Sequence, residues 1–91
     1  MPPIGARPSL DCIYNNDLAT FKSILSMFDD KYKEILMFQS IVHRRTAFVA
    51  LLLDQGVDPV PFQTYVQERI VNSSDDGERA AFEVIEAMLK S

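Results

Sequence analysis

Ninety-one residues, 47% of them hydrophobic and 24% charged, suit one soluble globular domain with a modest core. A net charge of −4 leaves no basic stripe for nucleic acid, and the longest unbroken apolar run, residues 47–53, is far too short to cross a bilayer. Cys12, the only cysteine, cannot form an internal disulfide, and Met1–Pro8 lacks the apolar core of a signal peptide, so an intracellular, cytoplasmic setting is expected. Charge is uneven: residues 1–45 hold six basic and five acidic side chains, residues 46–91 three and eight. The acidic half either steers a basic partner or keeps the domain soluble.

Residues 1–8, with three of the five prolines, read as an irregular leader, and residues 9–91 as a single helical domain. Ser9 or Asp11 is expected to cap a first helix that runs to Tyr14 and breaks at Asn15-Asn16. Asp17 then stands as N-cap to a second helix, whose residues Leu18, Phe21, Ile24, Leu25 and Phe28 recur at three and four. Asp29-Asp30 forms a turn, with Asp30 placed to cap a third helix from about Lys31 to His43. Its apolar residues Tyr32, Ile35, Leu36, Met37, Phe38, Ile41 and Val42 cover more than one stripe, which predicts a helix lying between two neighbours.

Thr46 opens or caps a fourth helix ending near Asp54. Gly56 suits the left-handed position just past its end. Pro61 fits the first turn of a fifth helix with Phe62, Tyr65, Val66, Ile70 and Val71 on its buried face. Residues 72–77 break the pattern with Ser, Asp and Gly. The last helix, Glu78–Lys90, buries Ala81, Phe82, Ile85 and Leu89, and its terminal charges agree with the helix dipole.

Three segments align without gaps: residues 20–28, 48–56 and 81–89. Phe21, Val49 and Phe82 fall at equivalent places, 28 and then 33 residues apart. Repeats of this length are stackable helix pairs. The stretch Val49-Ala50-Leu51-Leu52-Leu53-Asp54-Gln55-Gly56-Val57-Asp58-Pro59 resembles the second helix and exit turn of an ankyrin repeat. In the same unit, Ile35-Leu36-Met37-Phe38 stands where that family writes T-P-L-H. Ser40 takes its small position, and Arg44-Arg45 replaces its Gly-His. Residues 10–28 resemble a second unit, with Cys12 at the small position and Asn16-Asp17 for Gly-His. Residues 61–90 make a looser third, and the 28-residue step implies a first inter-repeat connection trimmed to a tight turn. The fold expected is all-α, two to three stacked antiparallel helix pairs in a short solenoid, with an irregular helical bundle as the alternative.

The resemblance implies a protein-interaction module that meets a protein partner through first-helix residues and inter-repeat turns. In that frame Tyr32, Lys33, Gln39 and His43 occupy the groove side of one first helix, and Tyr65 and Gln67 extend it. The Tyr32 and Tyr65 rings are equally suited to packing between units. His43-Arg44-Arg45, the one compact basic cluster, is read as a solvated turn rather than a phosphate site.

Two other functional readings stand beside this one. A small enzyme or small-molecule binder would use a pocket between helix pairs, with Cys12 and His43 the only nucleophile and base candidates; inert packing is the plainer reading of Cys12. A self-associating structural protein, a homodimer, would cover an apolar end formed by Met27, Met88 and Leu89. One Cys and one His are too few for a zinc site. Residues 54–58 lack the ligand ladder of a calcium loop. No glycine-rich phosphate loop is present. Neither metal nor cofactor is expected, nor nucleic acid or membrane as a partner.

Overall fold

The apolar periodicities along the chain resolve as helices throughout. A computed structural model describes residues 6–90 and contains α1 (Ala6–Asn15), α2 (Leu18–Ile24) with a 3-10 turn at Leu25–Met27, α3 (Asp30–Val42), α4 (Thr46–Asp54), α5 (Val60–Asn72) and α6 (Asp76–Lys90). Among the described residues there is no strand. The all-α expectation therefore holds.

Helix starts follow side-chain chemistry. The Thr20 N–H donates to the Asp17 carboxylate at 3.2 Å, which starts α2. The Tyr32 N–H donates to Asp29 at 2.8 Å, so the cap of α3 is Asp29 and Asp30 is its first helical residue, one position earlier than expected. The first helix also begins early, at Ala6. Pro8 is tolerated there because a first-turn nitrogen has no helical carbonyl to bond. Ser9, expected as a cap, instead lies inside α1 and is fully buried. Residues 1–5 of the expected leader lie outside the described residues.

Helix ends repeat one motif. The Asp17 N–H donates to the Cys12 carbonyl at 2.8 Å and the Arg45 N–H to the Ser40 carbonyl at 2.8 Å, 28 residues on. The residues between, Asn16 (φ 58) and Arg44 (φ 57), both adopt the left-handed conformation. At the end of α4 the Val57 N–H reaches Leu52 at 3.1 Å over Gly56, φ 95. All three are Schellman turns, in which a left-handed residue returns two N–H groups to the last helical carbonyls. Gly56 fits this conformation freely, whereas Arg44 carries a Cβ that crowds it at a cost of about 1–2 kcal/mol. Arg44→Gly is therefore expected to raise stability by about 0.5–1 kcal/mol after the extra freedom of an unfolded glycine is subtracted. A lower denaturant midpoint for the glycine variant would contradict the left-handed assignment.

Consecutive helices pair as α1 with α2, α3 with α4 and α5 with α6. The pairs meet through α1 against α3, α2 against α4, and α4 against α6. Ser40 is fully buried and its hydroxyl donates to the Leu36 carbonyl at 2.7 Å, leaving little side chain between helices. Cys12, one period earlier, is likewise buried. Phe21 on α2, Phe48 and Val49 on α4 and Phe82 on α6 are all buried, with the Phe21 and Phe48 ring centroids 4.7 Å apart and the rings tilted by 49°. The molecule measures 37 × 24 × 23 Å, longer in one direction than in the other two.

The last pair is joined more tightly than the sequence suggested. Only Ser73–Asp75 separates α5 from α6. The Ser73 hydroxyl donates to the Asp75 carbonyl at 3.1 Å, the Arg79 guanidinium donates to the Ser73 carbonyl at 2.7 Å, and Asp75 accepts from the Glu78 N–H at 3.2 Å. At the other end of the pair, Gln63 donates to the Leu89 carbonyl at 3.1 Å.

Three burial expectations fail. Val71 is 80% exposed, because the last turn of α5 carries it opposite Phe62 and Val66. Leu18, the first residue of α2, sits at the helix mouth and is exposed. Leu89 is buried and Met88 packs against the core, so they do not form an open apolar end; Met27, on the 3-10 turn, is exposed.

Candidate functional site

The first helix of each pair carries the aromatic residues left at the surface. On α3, residues Leu36, Met37, Ser40 and Ile41 face the core. Helical spacing then places Lys31, Glu34, Ile35 and Phe38 on the opposite side, where all four are exposed and Val42 is half-buried. Ile35, Phe38 and Val42 make an i, i+3, i+7 apolar stripe about 10 Å long. The doubly apolar character of this helix thus marks one buried stripe and one open stripe, not two covered ones.

Phe38 reaches the neighbouring pair. Its ring lies 5.0 Å from that of Tyr65 on α5, tilted by 55°, a favourable aromatic geometry. Phe38 remains 39% exposed and Ile35 48% exposed. The α4 and α6 helices pack directly, whereas α3 and α5 have far less backbone proximity and meet through these rings. The result is a partly exposed apolar patch that bridges two first helices through an aromatic pair.

The residues singled out from the sequence scatter around this patch. Tyr65 is in it. Tyr32 turns to the other flank and packs on Phe28, ring to ring at 4.9 Å. Lys33 and Gln39 are half-buried on the sides of α3. His43 closes α3 beside α1, where its ring meets Tyr14 edge-on at 4.7 Å. Gln67 is exposed on α5, more than a quarter turn from Tyr65. Ile35 and Phe38, which form the centre, were read from sequence as packing residues. Their signal was the apolar stripe in excess of what one core can cover.

The basic cluster is a structural tie. Arg45 does not face solvent as a turn residue. Its Nε donates to the Ile13 carbonyl at 2.8 Å and its NH2 group to the Tyr14 carbonyl at 2.7 Å. These are carbonyls of the last turn of α1, at the negative end of the helix dipole, and the Ile13 carbonyl also accepts the Asn16 N–H at 3.4 Å. Arg45 therefore fastens the second pair to the first. Arg44 donates to Val42 at 3.2 Å within its own turn.

Cys12 lies at a shallow recess with Asp11, Asn15, Asp17 and Thr20, within the first helix pair; His43 is not among the residues lining it. Burial, with the Asp17 and Asp11 carboxylates nearby, pushes the thiol above its ordinary range. That keeps it protonated at neutral pH, the opposite of an activated nucleophile. Among the described residues, no group of three or more His, Cys, Asp and Glu is disposed to hold a metal ion. Nor, among them, is any helix long and apolar enough to cross a membrane.

No family model matches this chain, and no curated protein or solved structure matches it.

Proposed function

We propose that the chain is a protein-interaction module of three ankyrin-like helix pairs that receives a protein partner on the apolar patch bridging α3 and α5. The observation that carries this reading is the Phe38–Tyr65 ring pair, in which Tyr65, partly buried against the core, backs an exposed Phe38 beside exposed Ile35. Aromatic side chains that are held rigid yet exposed are what interface anchors look like, because they offer contact area at small entropic cost. The stacked-pair architecture is supported by the 28-residue recurrence of the turn at Asn16 and Arg44 and by the order in which neighbouring pairs meet. A stack of this kind leaves its first helices free to form a binding surface.

Phe38→Ala tests the assignment. The ring is only partly buried, so the fold should survive with a loss of about 1 kcal/mol or less. A partner recovered by wild-type protein from its native extract should bind the variant about 30-fold more weakly, the scale of a hot-spot residue. Equal recovery by both proteins, with circular dichroism unchanged, would remove the patch from consideration.

A further inference from the structure

We infer that the partner element seated on this patch is a cationic amphipathic helix, an inference that rests on the patch being the binding surface. The apolar stripe sets the shape. Ile35, Phe38 and Val42 span two helical turns, the length over which a partner helix presents anchors at i, i+3 or i+4, and i+7. The charges beside the rings set the sign. Glu34 lies one turn before Phe38, and Glu68 three residues after Tyr65, each next to a ring on the surface of its own helix. Both are exposed. Among the described residues, the ion pairs are Arg69 with Glu78 and Lys90 with Glu86, and neither Glu34 nor Glu68 takes part. Lys31 is the cation on the open face of α3, one turn before Ile35 and away from the rings; Arg69, one turn after Tyr65, is also exposed and is paired with Glu78 at 3.5 Å.

An aromatic face flanked by unpaired carboxylates attracts Lys or Arg through the ring quadrupole and by direct charge pairing. The surplus of acidic residues in the second half of the chain, eight against three basic, adds long-range attraction of the same sign. A second copy of the chain would bring like carboxylates together across a two-fold axis, and nucleic-acid phosphate would meet the same repulsion.

The test uses two synthetic helical peptides with identical leucine positions, one with lysine on its polar face and one with glutamate, titrated into the whole protein by fluorescence polarisation. The lysine peptide should bind at least about tenfold more tightly than the glutamate peptide and weaken as salt rises. Phe38→Ala should lower its affinity about tenfold or more. Glu34→Gln with Glu68→Gln should lower it roughly threefold to tenfold and flatten the salt dependence. Amide chemical-shift changes should centre on residues 34–42 and 61–69. Equal binding of both peptides, lost together in Phe38→Ala, would keep the patch as a docking surface and overturn its preference for a cation. Binding of neither peptide, binding indifferent to Phe38→Ala, or shifts confined to α6 would overturn both readings. A dimer in light scattering that Phe38→Ala dissociates would assign the patch to a second copy instead.

Discussion

Truncating Phe48 to alanine is expected to cost about 3–5 kcal/mol, the largest single-residue loss in the molecule. Phe48 is fully buried on α4, the helix that packs on its own partner α3 and also on the neighbouring pairs through α2 and α6. Its ring meets Phe21 at 4.7 Å, so the deletion opens a cavity where two pairs join, not at one edge. A chain of 91 residues has a total stability of roughly 5–14 kcal/mol. The variant should therefore lie close to its unfolding midpoint in water or well down the denaturant curve. Phe48→Leu, which keeps much of the volume, should cost about 1.5 kcal/mol or less. Val71→Ala supplies the contrast, because an equally apolar residue at 80% exposure should shift stability by no more than about 0.5 kcal/mol. Similar losses at residues 48 and 71, by guanidinium titration, would refute a core centred on α4.

The elements were legible where the sequence offered only one solution. Thr46–Asp54 is bounded by an opening residue with no rival and closed by Gly56, and its bounds came out as read. Asp17 is a lone carboxylate ahead of an apolar run, and it caps. At Asp29-Asp30 two identical side chains compete for one cap, and the sequence carries nothing to decide between them. Backbone geometry does: Asp29 is extended, with φ −77 and ψ 172, and Asp30 is already helical.

Burial was legible only as periodicity. A period identifies a face but not what covers it. Val71 shares the apolar character of Phe62 and Val66 yet lies on the other side of α5, and the second stripe of α3 has the same composition as the first while facing water. The candidate patch was half legible. Tyr65 could be proposed from its residue type on a first helix. Phe38 could not, since a phenylalanine in an apolar run reads as core until a neighbouring helix is placed and found to leave it open. Long-range polar contacts left no local trace at all. The partners of Arg45 are 32 and 31 residues away, and a guanidinium in a turn has the same sequence signature whether it meets water or a helix end.

That last contact gives a sharp expectation. Arg45→Ala should destabilise the domain by about 1–2 kcal/mol, the range for hydrogen bonds to a charged donor discounted for partial solvent access. For a domain of this size that lowers Tm by roughly 5–15 °C. The loss should be local before it is global. With the Tyr14 carbonyl freed and the Ile13 carbonyl left with only its 3.4 Å bond from the Asn16 N–H, α1 loses its tie to the second pair, so its amides should exchange faster than those of α4 in native-state hydrogen exchange. Arg45→Lys decides whether charge alone is enough. An ammonium keeps the attraction for the negative helix end, worth about 0.3–1 kcal/mol, but lacks the planar fork that reaches two successive carbonyls at 2.8 and 2.7 Å. Lysine should therefore recover less than half of the loss and leave α1 exchange fast. Full recovery by lysine would reduce the tie to simple electrostatics, and an alanine variant as stable as the parent would show that the first pair is held by its apolar contacts, Ile13 and Phe21 foremost, without help from the guanidinium.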